Sequence, residues 1–216
     1  MSKFEKPVNP IFSFLEKVFN LMLANVLFLV CSLPVITLGA SLAGLIQVAQ
    51  DQFYQDDRSV IPRFFQSFRE NFLQATLAWG MLVLFLGGML CNVLLILTYC
   101  QGWIAQLLYI LAGVLTALVL AIMSYLFPMI VRYRNPMKIH LNNSLILAVV
   151  KLPRTLLMLL LNTLIFWIPF FSLNVFLGTM IFWLILGFGF IAFTDTRILV
   201  PVFRQMEEDD TVELMN

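Results

Sequence analysis

Residues Asn20–Ser41, NLMLANVLFLVCSLPVITLGAS, carry no charge and are interrupted once, between Pro34 and Gly39. How that interruption is read decides the fold. The apolar run containing it extends from Ile11 to Gln50, and its 40 residues as one helix would measure about 60 Å, twice the ~30 Å hydrocarbon core of a bilayer. A single straight pass cannot use that length. If Pro34–Gly39 reverses the chain, the run supplies two membrane segments and the protein has six. The alternative is a Pro34-kinked first helix and five passes.

The rest of the chain states the same solvent. Of its 216 residues 61% are hydrophobic and 12% charged, where a soluble domain carries about a quarter charged residues. Runs such as Leu82–Leu90 and Leu107–Met123 are continuous rather than alternating, which points to membrane helices and away from the strands of a lipid-spanning barrel. A net charge of +1, with basic residues spread over several loops, gives no electrostatic footprint for nucleic acid. Glu16 and Lys17 precede the apolar part of the first run and no small-residue cleavage site closes it, so the first helix is expected to be retained rather than removed as a signal. Cys31, Cys91 and Cys100 lack CxxC spacing and read as small apolar residues.

The expected fold is all-α and polytopic, a single transmembrane domain over 1–216 with segments at about 12–33, 35–54, 72–99, 103–131, 152–171 and 175–199, paired as three hairpins. Gly39, Ala40, Ser41, Ala43 and Gly44 give the second segment a small-residue face that lets helices approach closely. Two polar stretches show helical periodicity. At 60–71, Ile61, Phe64, Phe65 and Phe68 oppose Arg63, Gln66, Arg69 and Glu70; at 137–151, Leu141, Leu145 and Val149 oppose Lys138, Asn142 and Lys151. Both are expected to be amphipathic helices, the first lying on the bilayer surface. The tail at 205–216 holds Glu207, Glu208, Asp209, Asp210 and Glu213 and is expected to be solvated.

Charge sets the orientation. All 13 Lys and Arg fall at the N-terminus up to Lys17, in the polar stretches Asp51–Asn71 and Arg132–Arg154, or at Arg197 and Arg204 around the end of the last segment; none falls in the turns at Ser32–Gly39, Cys100–Gly102 or Pro169–Asn174. The positive-inside rule then puts the charged stretches and both termini in the cytoplasm.

With these pieces assembled, the chain resembles the YesL-type family of bacterial membrane proteins. The matching pieces are Asn9–Pro10, Asn20, Asn25, CSLPVITLGAS at Cys31–Ser41, FRENFLQAT at Phe68–Thr76, RYRN at Arg132–Asn135, NSLILA at Asn143–Ala148 and LPRT at Leu152–Thr155. Arg134 stands where the family usually carries an acidic residue. The resemblance implies a bacterial plasma-membrane protein encoded beside carbohydrate-uptake and polysaccharide-utilisation genes, with a sugar-transporter membrane complex as its partner.

No reaction chemistry assembles from the residues. His140 is the only histidine and reads as a loop residue, so there is no zinc pattern, and neither a GxxxxGK[ST] nor a GxGxxG phosphate loop occurs. A Ser41–His140 dyad would need a membrane-helix residue to meet a cytoplasmic one. No cofactor and no enzymatic activity are expected. The informative residues are polar groups at membrane depth, Asn20, Asn25, Gln47, Asn92 and Asn162, with Asp195 and Arg197 near the end of the last segment. Because an unpaired amide in hydrocarbon is costly, these must face protein, water or a ligand. Interhelical hydrogen bonding is the first reading and a polar-solute path the second, and for Asp195 and Arg197 a salt bridge. The expected function is an accessory or regulatory component associated with carbohydrate uptake. The alternative is an autonomous small transporter or channel for a polar solute, and homo-oligomerisation is compatible with either.

Overall fold

A computed structural model describes residues 10–54, 59–167 and 171–215, with the side chains of 10 and 209–215 excepted. Among them every regular element is helical: α1 Pro10–Cys31, a 3₁₀ turn Val35–Thr37, α2 Leu38–Tyr54, α3 Val60–Glu70, α4 Phe72–Tyr99, α5 Gly102–Arg132, α6 Met137–Val150, α7 Leu152–Trp167, α8 Leu173–Phe182, a π-helical turn Trp183–Gly187 and α9 Phe188–Met215. The expected turn at Asn9, the basic residues at 3, 6 and 58, and the start of the turn at 169 lie outside the described residues.

The interruption at Pro34 is a turn held by side-chain bonds. Pro34 is extended at φ −75°, ψ 113°, its carbonyl accepts from Thr37 N–H at 2.9 Å, and Thr37 Oγ1, 2.6 Å from the Cys31 carbonyl oxygen and 2.7 Å from that of Pro34, offers its one proton to the end of α1 or to the turn. Beyond it α2 packs on α1, with Leu21, Ala24 and Phe28 sharing one core with Leu45, Ile46, Val48 and Ala49. A helix that merely bent at Pro34 would carry these two groups apart.

α2 is the element the others surround, touching α1, α3, α4, α5 and α9. Its small residues explain why. A Cβ on Gly39 would overlap the Ala75 carbonyl oxygen of α4 and lie 2.8 Å from Trp79 Cβ, and one on Gly44 would lie 2.9 Å from the Phe64 ring of α3. Trp79 Nε1 then donates to the Val35 carbonyl at 3.1 Å, fixing α4 to the turn. The apolar side of α3 is therefore spent on protein: Phe64 is fully buried, and Ser67 Oγ donates to the Ala43 carbonyl at 3.1 Å. A glycine at 44 opens the slot that the Phe64 ring fills, while Ile61 of the same helix stays exposed.

Four helical stretches are long and apolar enough to cross a membrane: Ile11–Cys31, Phe72–Tyr99, Gly102–Arg132 and Leu173–Glu208. A fifth arises if α6 and α7, bent by 96° at Lys151, count as one span. The expected segment at 35–54 appears as α2, whose 17 residues are short for a crossing and mostly enclosed by neighbours. The one at 152–171 is helical over Leu152–Trp167, with 168–170 outside the described residues, and the one at 175–199 starts two residues earlier and continues as helix through Pro201 to Met215. Large apolar side chains on α1, α4, α5, α7 and α8 are exposed, as helices facing lipid require.

The stretch at 137–151 is not amphipathic in the expected sense. Leu145 and Val149 are exposed, whereas His140, Ser144, Leu147 and Ala148 are buried. His140 is thus a core residue, not a loop residue, since the local polar composition that suggested a loop is overridden by packing. The chain stays packed up to the start of the expected tail at 205–216. Val202 and Phe203 belong to a second core with Tyr125, Met129, Met158 and Leu199.

Candidate functional site

The polar residues singled out in the sequence meet different fates. Asn25 is fully buried on α1 and carries three bonds to the last helix: Nδ2 donates to the carbonyls of Trp183 (3.2 Å) and Leu184 (2.9 Å), and Oδ1 accepts from Gly189 N–H at 2.9 Å. A π turn breaks the regular i to i−4 ladder and frees backbone groups, and Asn25 satisfies them. Gln47 Nε2 donates to Asp51 Oδ1 at 2.7 Å, and Asp51 also pairs with Arg63 (Nε to Oδ2, 2.8 Å), so Gln47 belongs to an ion-pair cluster at the end of α2. Asn20 is half-buried on α1. Asn92 is exposed on α4.

Asn162 of α7 and Asp195 of α9 do come together. Asn162 Nδ2 lies 3.2 and 3.0 Å from the two carboxylate oxygens of Asp195. Arg197 is exposed and is not its partner, which corrects the expected Asp195–Arg197 salt bridge. Two positions along a helix are about 200° apart on its wheel, so a residue and its second neighbour face opposite ways.

This pair sits in the wall of a cavity of about 610 Å³ between α2, α4, α5, α7 and α9. Leu42, Ile46, Leu82, Leu120, Phe127 and Leu159 are among its lining residues, and Asp195, Asn162, Thr163, Thr196 and Ser124 supply the polar part. The hydroxyls of Thr196 and Ser124 donate back to their own helices, at the carbonyls of Ala192 (2.7 Å) and Leu120 (2.9 Å). Ligand sites are commonly of this size and this mostly apolar character.

A second polar assembly gathers the charged ends of α2, α5 and α9. The Arg132 guanidinium stacks 4.0 Å over the Tyr54 ring and bonds Glu207 (Nε to Oε1, 2.8 Å; Nη2 to Oε1, 2.6 Å). Tyr133 donates to the same carboxylate at 3.4 Å, and burial, assisted by the Glu207 charge, pushes its phenol up to about 12, so it remains a donor at neutral pH. Arg134, exposed, pairs with Glu70 at 2.8 Å.

Sequence reasoning missed three further links. Gln50 is buried and donates to the Pro128 carbonyl at 3.2 Å, tying α2 to α5 beside the proline; Gln74 donates to the Asn135 carbonyl at 3.0 Å; Thr155 meets the Tyr125 hydroxyl at 3.0 Å. Each lies near a charged stretch, where a polar side chain looks solvated. Pro128 is no signal for the first of these, because the carbonyl a proline leaves without its helix donor is four residues earlier, at Ser124, whereas Gln50 bonds the Pro128 carbonyl itself. Ser41 donates to the Thr37 carbonyl at 2.9 Å, and His140 is buried beside the Tyr133 and Asn135 backbone, so the two do not bond to each other. Among the described residues no group of His, Cys, Asp and Glu is arranged to hold a metal ion.

Residues 21–93 match the family described as "Protein of unknown function, DUF624", which is consistent with the YesL-type resemblance. No curated protein and no solved structure matches the chain. The matched residues run from within α1 into α4, so they include Asn25, the Pro34 turn, Gly39 and Gly44, together with the α2 and α4 walls of the cavity, but not Asn162 or Asp195.

Proposed function

We propose that this membrane protein is a non-enzymatic component of the bacterial plasma membrane that assembles with a transporter serving carbohydrate uptake. In this reading the ion-paired ends of α2, α5 and α9 lie with both termini in the cytoplasm, and the Pro34 turn, held against Ala75 and Trp79 in the first two turns of α4, lies nearer that face than the far end of α4 does. The observation that carries it is Asn92. Its amide is exposed seven residues before the end of a 28-residue membrane helix, with Leu84, Gly88, Cys91 and Leu95 exposed on the same side. A Cβ on Gly88 would meet nothing within 4 Å. An amide facing acyl chains loses its hydrogen bonds, and a glycine one turn away lets another helix approach closely enough to restore them. The face therefore suits a transporter helix bearing an amide or hydroxyl.

The alternative, an autonomous channel or transporter for a polar solute, is supported less well. Asn25 and Gln47 are committed to structural bonds and the cavity is largely apolar, so no polar path joins the amides. Purification of the tagged protein from its own host in mild detergent is expected to recover sugar-transport subunits, and Asn92→Leu is expected to lose them while leaving the protein folded. Recovery of this chain alone as an Asn92-dependent oligomer would replace the transporter with a second copy. Recovery of neither would overturn the reading.

A further inference from the structure

The cavity between α2, α4, α5, α7 and α9 is independent of the Asn92 face and has a chemistry of its own. Its one ionisable group, Asp195, receives hydrogen bonds from a single amide nitrogen, Asn162 Nδ2, which is shared between both carboxylate oxygens. A carboxylate has about four lone-pair sites, so most of its accepting capacity is unmet. Asn162 Oδ1 is itself buried with no partner. The nearby hydroxyls of Thr196 and Ser124 have given their protons to backbone carbonyls, leaving only oxygen lone pairs free. The polar end of the cavity is thus richer in acceptors than in donors, the Thr163 hydroxyl being the donor left there, and the rest of the lining is apolar apart from the Trp167 indole.

A carboxylate is retained in an apolar membrane interior when something pairs with it. Among the described residues no cationic side chain does so, and Arg197, two residues along, is exposed. We propose that the cavity binds an amphiphile: an apolar chain lying along Leu42, Leu82, Leu120 and Phe127, and a head that donates hydrogen bonds, a primary ammonium or a cluster of hydroxyls, placed on Asp195 and Asn162 Oδ1. A fully methylated ammonium has no donor to offer, and a carboxylate head adds repulsion. The site discriminates by head group, because any chain of suitable length satisfies the walls.

Protein reconstituted in phosphatidylcholine nanodiscs, whose lipid heads carry no donor, is incubated with four probes of equal chain length: dodecylamine, monolauroylglycerol, dodecyltrimethylammonium and dodecanoate. Native mass spectrometry then counts the molecules retained. The amine and the glyceride are expected to remain bound one per chain, and the other two at least about tenfold less, the discrimination typical when buried acceptors are left unpaired. Retention of the amine alone also supports the site and assigns the head to ammonium. Asp195→Asn preserves shape and removes the charge, so amine retention should fall by roughly tenfold. Leu120→Trp fills the apolar part and should abolish retention of both ligands. Equal retention of all four probes, retention of none, or retention indifferent to both substitutions would overturn the assignment.

Discussion

Gly39→Ala is expected to be among the most damaging single substitutions in the chain. The added methyl group would overlap the Ala75 carbonyl oxygen, lie 2.7 Å from the Ala75 carbonyl carbon and 2.8 Å from Trp79 Cβ. None of these is the movable end of a side chain, so relief requires α2 and α4 to separate. Separation strains the Trp79–Val35 hydrogen bond and loosens the core of Ala43, Leu45, Ala75 and Ala78. Overpacking in a well-filled interior costs about 1–3 kcal/mol and more where backbone must move, so about 3 kcal/mol is expected. Thermal unfolding in detergent should show a clearly lowered midpoint. Gly44→Ala is the milder comparison, because its methyl group would lie 2.9 Å from the Phe64 ring and 3.0 Å from the Phe64 carbonyl oxygen, crowded contacts rather than the outright overlap at Gly39. Equal stability of Gly39→Ala and the parent protein would mean that α2 and α4 are not in backbone contact.

Asn25→Leu should be next in severity, for electrostatic rather than steric reasons. The substitution keeps the volume close but removes three hydrogen bonds, and the losses fall on backbone groups of Trp183, Leu184 and Gly189. In membrane proteins an average interhelical hydrogen bond contributes only ~0.6 kcal/mol, because the separated helices find other partners. Freed π-turn carbonyls packed under α1 have no such substitute, so a total of about 2 kcal/mol is expected. Amide hydrogen exchange offers a local readout: protection at Gly189 N–H should drop in Asn25→Leu while protection at α3 stays unchanged. Retained protection at Gly189 would show that another acceptor serves that group.

The contrast between these two positions shows what the sequence could and could not disclose. Continuous apolar runs announced the membrane and placed α1, α4, α5 and the last helix, because burial in lipid demands a composition that no other environment tolerates. The glycine and alanine face of Gly39–Gly44 announced close packing. Asn25 stood out as an amide in hydrocarbon, yet its partners lie more than 150 residues away on backbone atoms, which leave no mark in side-chain identity. Asn162 and Asp195 were each visible, but their pairing was not, since the nearer Arg197 offered a more obvious partner. His140 was misplaced for a related reason: the charges around it describe the ends of α5 and α6, not the interior between them.

The π turn at Trp183–Gly187 carries one further implication. A widened turn holds one residue more than the α-helix it interrupts, and each residue advances the wheel by about 100°. Side chains after Gly187 are therefore out of phase with those before Trp183, and the last helix is written on two wheels rather than one. Its inner stripe changes sides partway along, and the later phase presents Asp195 to α7 and Glu207 to α5. Homologous chains could shorten or lengthen this helix at its ends freely, but an insertion or deletion between 183 and 195 would turn both carboxylates away from their partners at once.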